Sequence, residues 1–309
     1  MRHLTEISDF SVEEISQLIS VSRDIMTTPQ SYIDAMRGKV MATLFYEPST
    51  RTKFSFEAAM QRLGGSVIGF SGAENTSAAK GETLSDTVRM VSAYADLIVM
   101  RHYIAGAPMQ SAKISEVPVI NAGDGGNQHP TQTLTDLVTI SREMGRLDNL
   151  NIAVAGDLKY GRTVHSLVKA MVRYPGNKFY FVSPEELKMP DYVKELLSES
   201  QYEEVQSLED VLGDSDVLYM TRIQKERFED VREYDRLNGT YILDAEKMKS
   251  ASENMIVMHP LPRVNEITEE VDSDPRAKYF QQAKYGMYAR MALILMLEDM
   301  KKRGQYDTN

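Results

Sequence analysis

The chain has 309 residues, 42% of them hydrophobic, so it is long enough for about two domains and for a sizeable core. Its 35 basic and 45 acidic side chains give a net charge of −10, which disfavours nucleic acid and anionic membranes as partners. The absence of cysteine excludes disulfides, thiolate metal sites and a cysteine nucleophile; the five histidines show no ligand spacing, and we expect no metal and no cofactor.

No run of apolar residues approaches the length of a membrane span, and the segment from Met1 to Phe10 lacks the apolar core of a signal peptide. We therefore expect a cytoplasmic protein with neither membrane nor nucleic-acid partners. Because the chain as a whole is acidic, a small anionic substrate would need a locally positive pocket.

The first half of the chain alternates apolar, strand-like segments with amphipathic, helix-like ones. Ser11 and Glu14 form a capping-box pattern that predicts a helix to about Met26. The apolar runs predict strands near 40–46, 66–70, 97–101 and 117–121, separated by helices near 53–63, 82–95 and 104–112.

The second half repeats this alternation. Its apolar runs predict strands near 151–156, 178–182, 216–220 and 255–258, with helices near 161–173, 190–200 and 208–213. A long helix from Gln132 to Gly145 is predicted to bridge the halves, and a last helix near 286–302 is expected to pack back on the first domain.

Short apolar strands between amphipathic helices predict parallel sheets that are covered on both faces. The fold class that we expect is therefore α/β, with two doubly wound domains, each a parallel sheet flanked by helices. The first domain would comprise residues 1–131 with the C-terminal helix 287–309, and the second residues 132–286. In such sheets, ligands bind outside the carboxyl ends of the strands.

The most informative segment, Pro48-Ser49-Thr50-Arg51-Thr52, lies between the first predicted strand and the next helix. A helix start leaves unpaired backbone N–H groups at the positive end of the helix dipole. Three hydroxyls and the planar guanidinium of Arg51 in the same turn are groups that would surround the oxygens of a phosphate. The alternative is an ordinary N-cap, with Ser49 or Thr50 capping the helix and Arg51 in solvent.

No glycine-rich nucleotide motif accompanies this corner. Residues 155–162 lack the Gly-x-Gly-x-x-Gly spacing and place side chains where a pyrophosphate would need bare backbone. The sequence therefore does not favour dinucleotide binding.

Three further polar segments lie in the first half. Arg101 ends an apolar strand, so its head should emerge at the sheet edge that holds the phosphate corner. His129 lies in a glycine-rich loop before the bridging helix, and Pro130 favours an extended conformation at this residue. Ser77 and Lys80 lie in a small polar loop, for which a solvated surface loop is the alternative.

In the second half, Arg162 and Arg222 each follow a predicted strand. Two arginines from two strand ends suit a dicarboxylate, because each guanidinium can hold one carboxylate in a bidentate pair. Surface ion pairs are the alternative. After the strand 255–258, two prolines stiffen the segment 259–263 and leave the carbonyl groups of Pro260 and Leu261 available to an amine.

Taken in order, these segments resemble the aspartate/ornithine carbamoyltransferase family over nearly the whole chain. Ser-Thr-Arg-Thr at 49–52 and His-Pro-x-Gln at 129–132 are typical of the family in general. Arg222-x-Gln224 and His-Pro-Leu-Pro-Arg at 259–263 resemble its aspartate branch, since ornithine enzymes carry a cysteine in the latter segment and this chain has none.

The resemblance implies transfer of the carbamoyl group of carbamoyl phosphate to the amino group of L-aspartate, giving N-carbamoyl-L-aspartate and phosphate in pyrimidine synthesis. The substrate's own amine is then the nucleophile. The residues that the resemblance assigns to carbamoyl phosphate are Ser49, Thr50, Arg51, Thr52, Arg101, His129 and Gln132, with Thr52, Arg101 and His129 as the catalytic donors. Those assigned to aspartate are Lys80, Arg162, Arg222 and Gln224. Gln132 and the backbone carbonyls of Pro260 and Leu261 would hold the carbamoyl NH2 and the incoming amine.

Family members are trimers, or larger assemblies with a separate zinc-containing regulatory chain. The resemblance implies a homotrimer in which Ser77 and Lys80 reach the active site of the neighbouring subunit, and it leaves a regulatory partner open. The charged stretch 225–236 is either a loop that moves as the domains close on their ligands or a solvated connection.

Two other functions remain compatible with the residues. An ornithine-type or other carbamoyltransferase would share the phosphate corner but would need a different amine pocket. A non-enzymatic phosphometabolite-binding protein would share the corner without turnover. An assay of amino-acid acceptors separates these three functions.

Overall fold

Each half of the chain builds its own parallel sheet. The computed structural model describes residues 1–224, 231–237 and 239–306, without the side chains of residues 75, 231, 233, 235 and 304–306. Unit 1 comprises Met1–Val138 and Lys284–Asn309, and unit 2 comprises Thr139–Ala283. The predicted α/β class with two parallel sheets flanked by helices is confirmed. Within the stretch proposed as a moving loop, 225–230 lies outside the described residues.

Regular elements alternate along both units. The strands are β1 (Val40–Phe45), β2 (Ser66–Ser71), β3 (Leu97–His102), β4 (Val119–Asp124), β5 (Asn151–Ala155), β6 (Lys178–Val182), β7 (Tyr202–Val205), β8 (Val217–Met220) and β9 (Ile256–Met258). The α-helices are α1 (Val12–Thr27), α2 (Thr50–Arg62), α3 (Leu84–Ser92), α4 (Ala107–Ile114), α5 (Pro130–Met144), α6 (Arg162–Met171), α7 (Asp191–Lys194), α8 (Glu209–Leu212), α9 (Val231–Leu237), α10 (Ala245–Ser250) and α11 (Tyr279–Tyr306).

The sheet of unit 1 has the strand order β2-β1-β3-β4, and every neighbouring pair is parallel. Its strand β3 is buried along its whole length, as expected for a parallel strand covered on both faces.

A capping box explains where helix α1 begins. The Ser11 hydroxyl accepts from the N–H of Glu14 at 3.2 Å, and the Glu14 carboxylate accepts from the N–H of Ser11 at 2.7 Å. The predicted capping box is confirmed.

The sheet of unit 2 has the order β7-β6-β5-β8-β9, again with parallel pairs throughout. The connection into β6 is anchored by Asn177, which is 2% exposed. Its side-chain oxygen accepts from the N–H of Leu150, and its NH2 group donates to the carbonyls of Leu147 and Met171, each at 2.9 Å. One side chain thus ties α6 to the segment that enters β5.

The sequence did not predict β7, α9 or α10. Strand β7 lies at the edge of its sheet and exposes Glu203 and Glu204, so its pattern lacks the apolar run that marks the inner strands. The predicted helix 190–200 ends early, at Lys194, because Ser198 forms a capping box with Gln201 and starts a separate turn of 3₁₀-helix. Helix α11 begins at Tyr279, which is earlier than predicted.

Among the helices of the described residues, none combines the length and the apolar character that crossing a membrane requires.

Replacing Asn177 with alanine should lower the free energy of unfolding by about 2–3 kcal/mol, since three buried backbone groups lose their partner. Urea unfolding followed by circular dichroism measures this. The exposed Asn254 provides the matched control, and its replacement with alanine should leave the urea midpoint nearly unchanged. Equal midpoints for the two variants would contradict the anchoring role of Asn177.

Candidate active site

The segment Pro48–Thr52 connects β1 to α2. The helix begins at Thr50, with Ser49 at the N-cap position in an extended backbone conformation (φ −157°, ψ 92°). The Ser49 side chain makes no capping hydrogen bond, so the structure does not show the ordinary side-chain cap considered above. Thr50 is exposed, whereas Thr52 is 9% exposed. The hydroxyl of Ser49 and the first N–H groups of α2 therefore remain suited to an anion.

Two guanidinium groups meet at this corner. The pairing of β1 with β3 places Arg101 opposite Phe45, and the carbonyl of Arg101 accepts from the N–H of Tyr46 at 2.9 Å. The Arg51 side chain is exposed, yet partial desolvation, and then the positive charge of Arg101, lower its pKa below the ordinary value. The two cations repel each other, and an anion bound to both would relieve that repulsion.

Arg101 is buried, at 8% exposure, and one of its donors is unused. Its Nη1 donates to the carbonyl of Ala122 at 3.3 Å, and its Nη2 donates to the Glu47 carboxylate at 3.2 Å. Within the described part of the chain, no acceptor reaches its buried Nε–H. Leaving such a donor unpaired costs free energy, so a substrate oxygen at this position would be stabilised.

The loop between β4 and α5 is organised by Asp124, a carboxylate that is 1% exposed. One oxygen accepts from the N–H of Gln128 at 3.0 Å, and the other accepts from the N–H of Gly106 at 2.7 Å and from the Asn127 amide at 3.0 Å. Gly125 has φ 52°, and a Cβ there would lie 2.7 Å from a backbone oxygen. The glycine is therefore required by the loop itself, in addition to leaving room for a ligand.

His129 and Gln132 follow this loop. His129 is 6% exposed, and its Nδ1 lies 3.5 Å from the Thr131 hydroxyl. The N–H of Gln132 donates to the carbonyl of His129 at 2.9 Å, so both predicted site residues belong to one turn. The half-buried Gln132 side chain donates from Nε2 to Asp136 Oδ1 at 2.8 Å.

Ser77 and Lys80 delimit a turn of 3₁₀-helix (Ser77–Lys80) and are exposed. The Thr76 hydroxyl caps this turn by accepting from the N–H of Ala78 at 3.2 Å. As far as the chain is described, no hydrogen bond or ion pair links Ser77 or Lys80 to the other site residues of unit 1. Their assignment to a neighbouring subunit stays a prediction.

In unit 2, Arg162 and Arg222 lie at the carboxyl ends of the paired strands β5 and β8. The carbonyl of Tyr160 joins the two segments, because it accepts from the N–H of Arg162 at 2.9 Å and from Nε2 of Gln224 at 3.2 Å. Gly161 is needed for this approach, since a Cβ there would lie 2.4 Å from the carbonyl oxygen of Asp157. Both arginines are half-buried.

The carbonyls of Pro260 and Leu261 lie in a turn that the buried His259 side chain stabilises. His259 is 2% exposed; its Nδ1 accepts from the N–H of Leu261 at 2.8 Å, and its Nε2 lies 2.7 Å from Glu266 Oε1. Leu261 adopts the left-handed region, with φ 55°. No donor among the described residues reaches the carbonyls of Pro260 or Leu261, so they stay available as acceptors.

Glu266 stabilises this turn as a carboxylate. Burial raises its pKa, but the hydrogen bond from His259 and the N–H groups of Glu266 itself and of Val264, the latter at 3.1 Å, outweigh burial. The N–H of Asn265 also donates to this carboxylate, at 3.2 Å. The pKa of Glu266 is therefore held below its ordinary value. Since Nδ1 of His259 is an acceptor, the proton of the neutral ring lies on Nε2 and faces Glu266.

Three carboxylates that support the site were not predicted from the sequence: Asp124, Asp136 and Glu266. Asp124 lies in a Gly- and Asn-rich loop, where Asp commonly accepts from nearby N–H groups, and Asp136 is four residues from Gln132 on the same helix face. These local signals were available. No local sequence signal marks Glu266, because only the folded turn brings it next to His259.

Comparison with known proteins gives matches along both units. Residues 2–142 match the family described as aspartate/ornithine carbamoyltransferase, carbamoyl-P binding domain. Residues 148–297 match the family described as aspartate/ornithine carbamoyltransferase, Asp/Orn binding domain.

Individual relatives align over nearly the full length. The aspartate carbamoyltransferase catalytic subunit of Lachnoclostridium phytofermentans is 57% identical over 300 residues, which cover 96% of this chain and 98% of that protein. The catalytic subunit of M. jannaschii aspartate transcarbamoylase superposes with a TM-score of 0.91 at 48% identity, covering 98% of this chain and 99% of that one. Aspartate transcarbamoylase from Trypanosoma cruzi, solved with carbamoyl phosphate and aspartate, superposes with a TM-score of 0.88 at 41% identity, covering 95% and 96%.

Replacing Glu266 with glutamine should make the free energy of unfolding less dependent on pH in the acidic range. Because its folded pKa lies below the ordinary 4.5, the stabilisation from ionised Glu266 is fully present above that pH and is lost as the pH falls through the folded pKa. The free energy of unfolding should be lower for the variant at pH 7, and the difference from wild type should shrink below pH 4.5.

Urea unfolding at a series of pH values measures this difference. The exposed Glu269, replaced by glutamine, is the control and should show a small difference at every pH. A wild-type advantage over Glu266→Gln that is unchanged at about pH 3 would contradict the assignment.

Proposed function

Because the chain belongs to the aspartate/ornithine carbamoyltransferase family, as its motifs predicted, we propose that it transfers the carbamoyl group of carbamoyl phosphate to L-aspartate. The products are N-carbamoyl-L-aspartate and phosphate, a step of pyrimidine biosynthesis. The observation that carries this proposal is the pair of repelling guanidinium groups, Arg51 and Arg101, at the start of an uncapped helix. The relatives named aspartate carbamoyltransferase support the choice of acceptor.

The phosphate is held at the Pro48–Thr52 corner. The hydroxyls of Ser49, Thr50 and Thr52, the first N–H groups of α2 and the two guanidinium groups surround its oxygens. At an effective dielectric constant near 20, one charge pair at ~4 Å is worth about 4 kcal/mol before desolvation. When the dianion binds, its attraction to each guanidinium outweighs the repulsion between Arg51 and Arg101.

The carbonyl oxygen of the carbamoyl group becomes negative as the amine attacks. Thr52, Arg101 and His129 donate to this oxygen, and the buried Nε–H of Arg101 is a donor that has no other use among the described residues. His129 acts here as an electrophilic donor. The new C–N bond forms, the bond from carbon to the phosphate oxygen breaks, and the departing phosphate is itself a base that can accept the amine proton.

Aspartate is held by unit 2. Arg162 and Arg222 each pair with one carboxylate, and Gln224 fixes the segment of Arg222 through its hydrogen bond to Tyr160. The carbonyls of Pro260 and Leu261 accept from the amine or from the carbamoyl NH2. Two guanidinium groups would repel the second amino group of ornithine, and this argues against the ornithine-type alternative.

The amine of the substrate is the nucleophile, so the proposal requires neither a cofactor nor a metal. We further propose a homotrimer with shared active sites, in which Ser77 and Lys80 serve the neighbouring subunit and Lys80 contacts aspartate. The relatives named catalytic subunits suggest a separate regulatory chain as a further partner. The cytoplasmic location stays a prediction from the sequence.

Incubation with carbamoyl phosphate and L-aspartate should release phosphate and form N-carbamoyl-L-aspartate in equal amounts, measured by colorimetry and mass spectrometry. L-ornithine should give neither product. Turnover with ornithine would favour the ornithine-type reading, and binding of carbamoyl phosphate without turnover would favour a phosphometabolite-binding protein.

The two arginine sets should separate in a pair of variants. Arg51→Ala should lower kcat by roughly 10²–10³ and weaken carbamoyl phosphate binding, since a preorganised donor is lost. Arg222→Ala should weaken aspartate binding while carbamoyl phosphate still binds nearly as in wild type. Calorimetry measures the binding of both ligands, and a phosphate-release assay measures kcat. Replacing the exposed Arg62, on the same helix as Arg51, with alanine is the control. Equal weakening of both ligands by Arg222→Ala would refute this division.

Mixing two inactive variants tests the shared site. In a cyclic trimer formed from Arg51→Ala and Lys80→Ala chains, every mixed ring has one interface where an intact Arg51 meets an intact Lys80. Random equal mixing makes roughly three quarters of the rings mixed, each with one good site in three, so about a quarter of wild-type activity should return. No recovery, despite subunit exchange verified by mass spectrometry, would exclude Lys80 from a neighbouring site.

A further inference from the structure

Behind Gln132, unit 1 contains a buried cation that the proposed reaction does not use. Arg290, on α11, is 5% exposed. Its guanidinium lies 5.1 Å from the centre of the Phe56 ring, and its Nη1 donates to the Thr135 hydroxyl at 3.3 Å. A Cβ added at Gly286 would lie 2.6 Å from Nη1. This packing confines the guanidinium to one position beside α5.

Asp136, which is fully buried, lies close enough for its negative charge to act on Arg290. Burial lowers the pKa of Arg290 to about 10, and the negative charge of Asp136 opposes that change. Arg290 is therefore still a cation at neutral pH. The positive charge of Arg290 in turn favours the ionised form of Asp136, because opposite charges stabilise each other in a buried site.

An ionised Asp136 restricts how Gln132 can be oriented. A carboxylate has only acceptor atoms, so the group of Gln132 that faces it must be the NH2. The distance of 2.8 Å from Gln132 Nε2 to Asp136 Oδ1 agrees with this orientation. The two residues are four apart on α5, which places them on one face of the helix. The carbonyl oxygen of the Gln132 amide then points away from Asp136.

The geometry points to Asp136, with Arg290 behind it, as a positioning residue that sets the Gln132 amide so that its oxygen accepts from the carbamoyl NH2. This inference rests on the proposed function and on the role that the resemblance implies for Gln132, which is to hold the carbamoyl NH2. It adds a rule of specificity: the site distinguishes a carbamoyl group from an acyl group of similar size that cannot donate. A methyl group in place of the NH2 would leave the oxygen of Gln132 without a donor, and sites built on such a hydrogen bond discriminate strongly.

Acetyl phosphate is the probe, because it differs from carbamoyl phosphate only by CH3 in place of NH2. Calorimetry without aspartate gives the dissociation constants of both ligands for the whole protein, so this measurement does not depend on which amine is the acceptor. Wild type should bind carbamoyl phosphate more tightly than acetyl phosphate. Similar affinities for the two ligands would overturn the inference while leaving the proposed reaction standing; no binding of carbamoyl phosphate would overturn both.

Asp136→Asn is the informative variant. Arg290 would attract the oxygen of the new amide, so the NH2 would face Gln132, and the Gln132 amide would turn its own NH2 toward the substrate. Carbamoyl phosphate should bind roughly ten- to a hundredfold more weakly, and acetyl phosphate should change by less than about threefold. A purely structural role for Asp136 would weaken both ligands alike, and that result would overturn the inference.

A double-mutant cycle tests whether Asp136 acts through Gln132. In the Gln132→Ala background, Asp136→Asn should leave the ratio of the two affinities unchanged. A further loss of discrimination in that background would contradict the inference. If Asp136→Asn does not fold, Arg290 carries the same test. Arg290→Lys keeps the cation and should keep the discrimination, whereas Arg290→Met should weaken it, because loss of the positive charge disfavours the ionised form of Asp136 and a protonated carboxyl can donate to Gln132.

Discussion

The parallel pairing of β1 with β3 is the constraint on which the proposed phosphate-binding corner depends. It places Phe45 opposite Arg101, so that the corner after β1 and the arginine at the end of β3 emerge at one edge of the sheet. Two cations that are far apart in the sequence are thereby held close together despite their repulsion. The apolar strands hold the two arginines in place, and the Glu47 carboxylate, which accepts from Arg101 Nη2 at 3.2 Å, partly offsets their repulsion. The repulsion between the two cations is already present in the folded protein, and an anion that binds between them reduces it.

Unit 2 uses the same principle with different groups. Its strands β5 and β8 are paired, and the segments that follow them meet at the carbonyl of Tyr160. The half-buried arginines therefore project from backbone that is already hydrogen-bonded. After β9, the turn with two carbonyls that no described donor reaches is held by the buried pair of His259 and Glu266. In both units, flexible loop sequence is made rigid by polar contacts beneath it, which is the arrangement that preorganised sites require.

The chain is acidic, yet anionic substrates are compatible with it because the carboxylates that support the candidate site are buried. Asp124, Asp136 and Glu266 are buried behind the candidate site residues, and each accepts hydrogen bonds from the segment that carries one of them. Their charges orient donors and fix tautomers instead of facing a ligand. The groups assigned to the ligands include guanidinium, ammonium, imidazole, hydroxyl and backbone N–H groups, so a locally positive pocket is compatible with the net charge of −10.

The sequence by itself determined the family, the α/β class and most of the strands, because the corner motif and the apolar periodicity are local properties of the chain. It also singled out Arg51, Arg101 and His129 as candidates, although their roles stay predictions. Edge strand β7 was missed, since two exposed glutamates hide its pattern. Only the tertiary structure decided the strand orders, the Arg101 donor that no described acceptor reaches and the charge interaction of Asp136 with Arg290. Those features join residues that are distant in sequence, and their energies exist only once burial removes water from the groups involved.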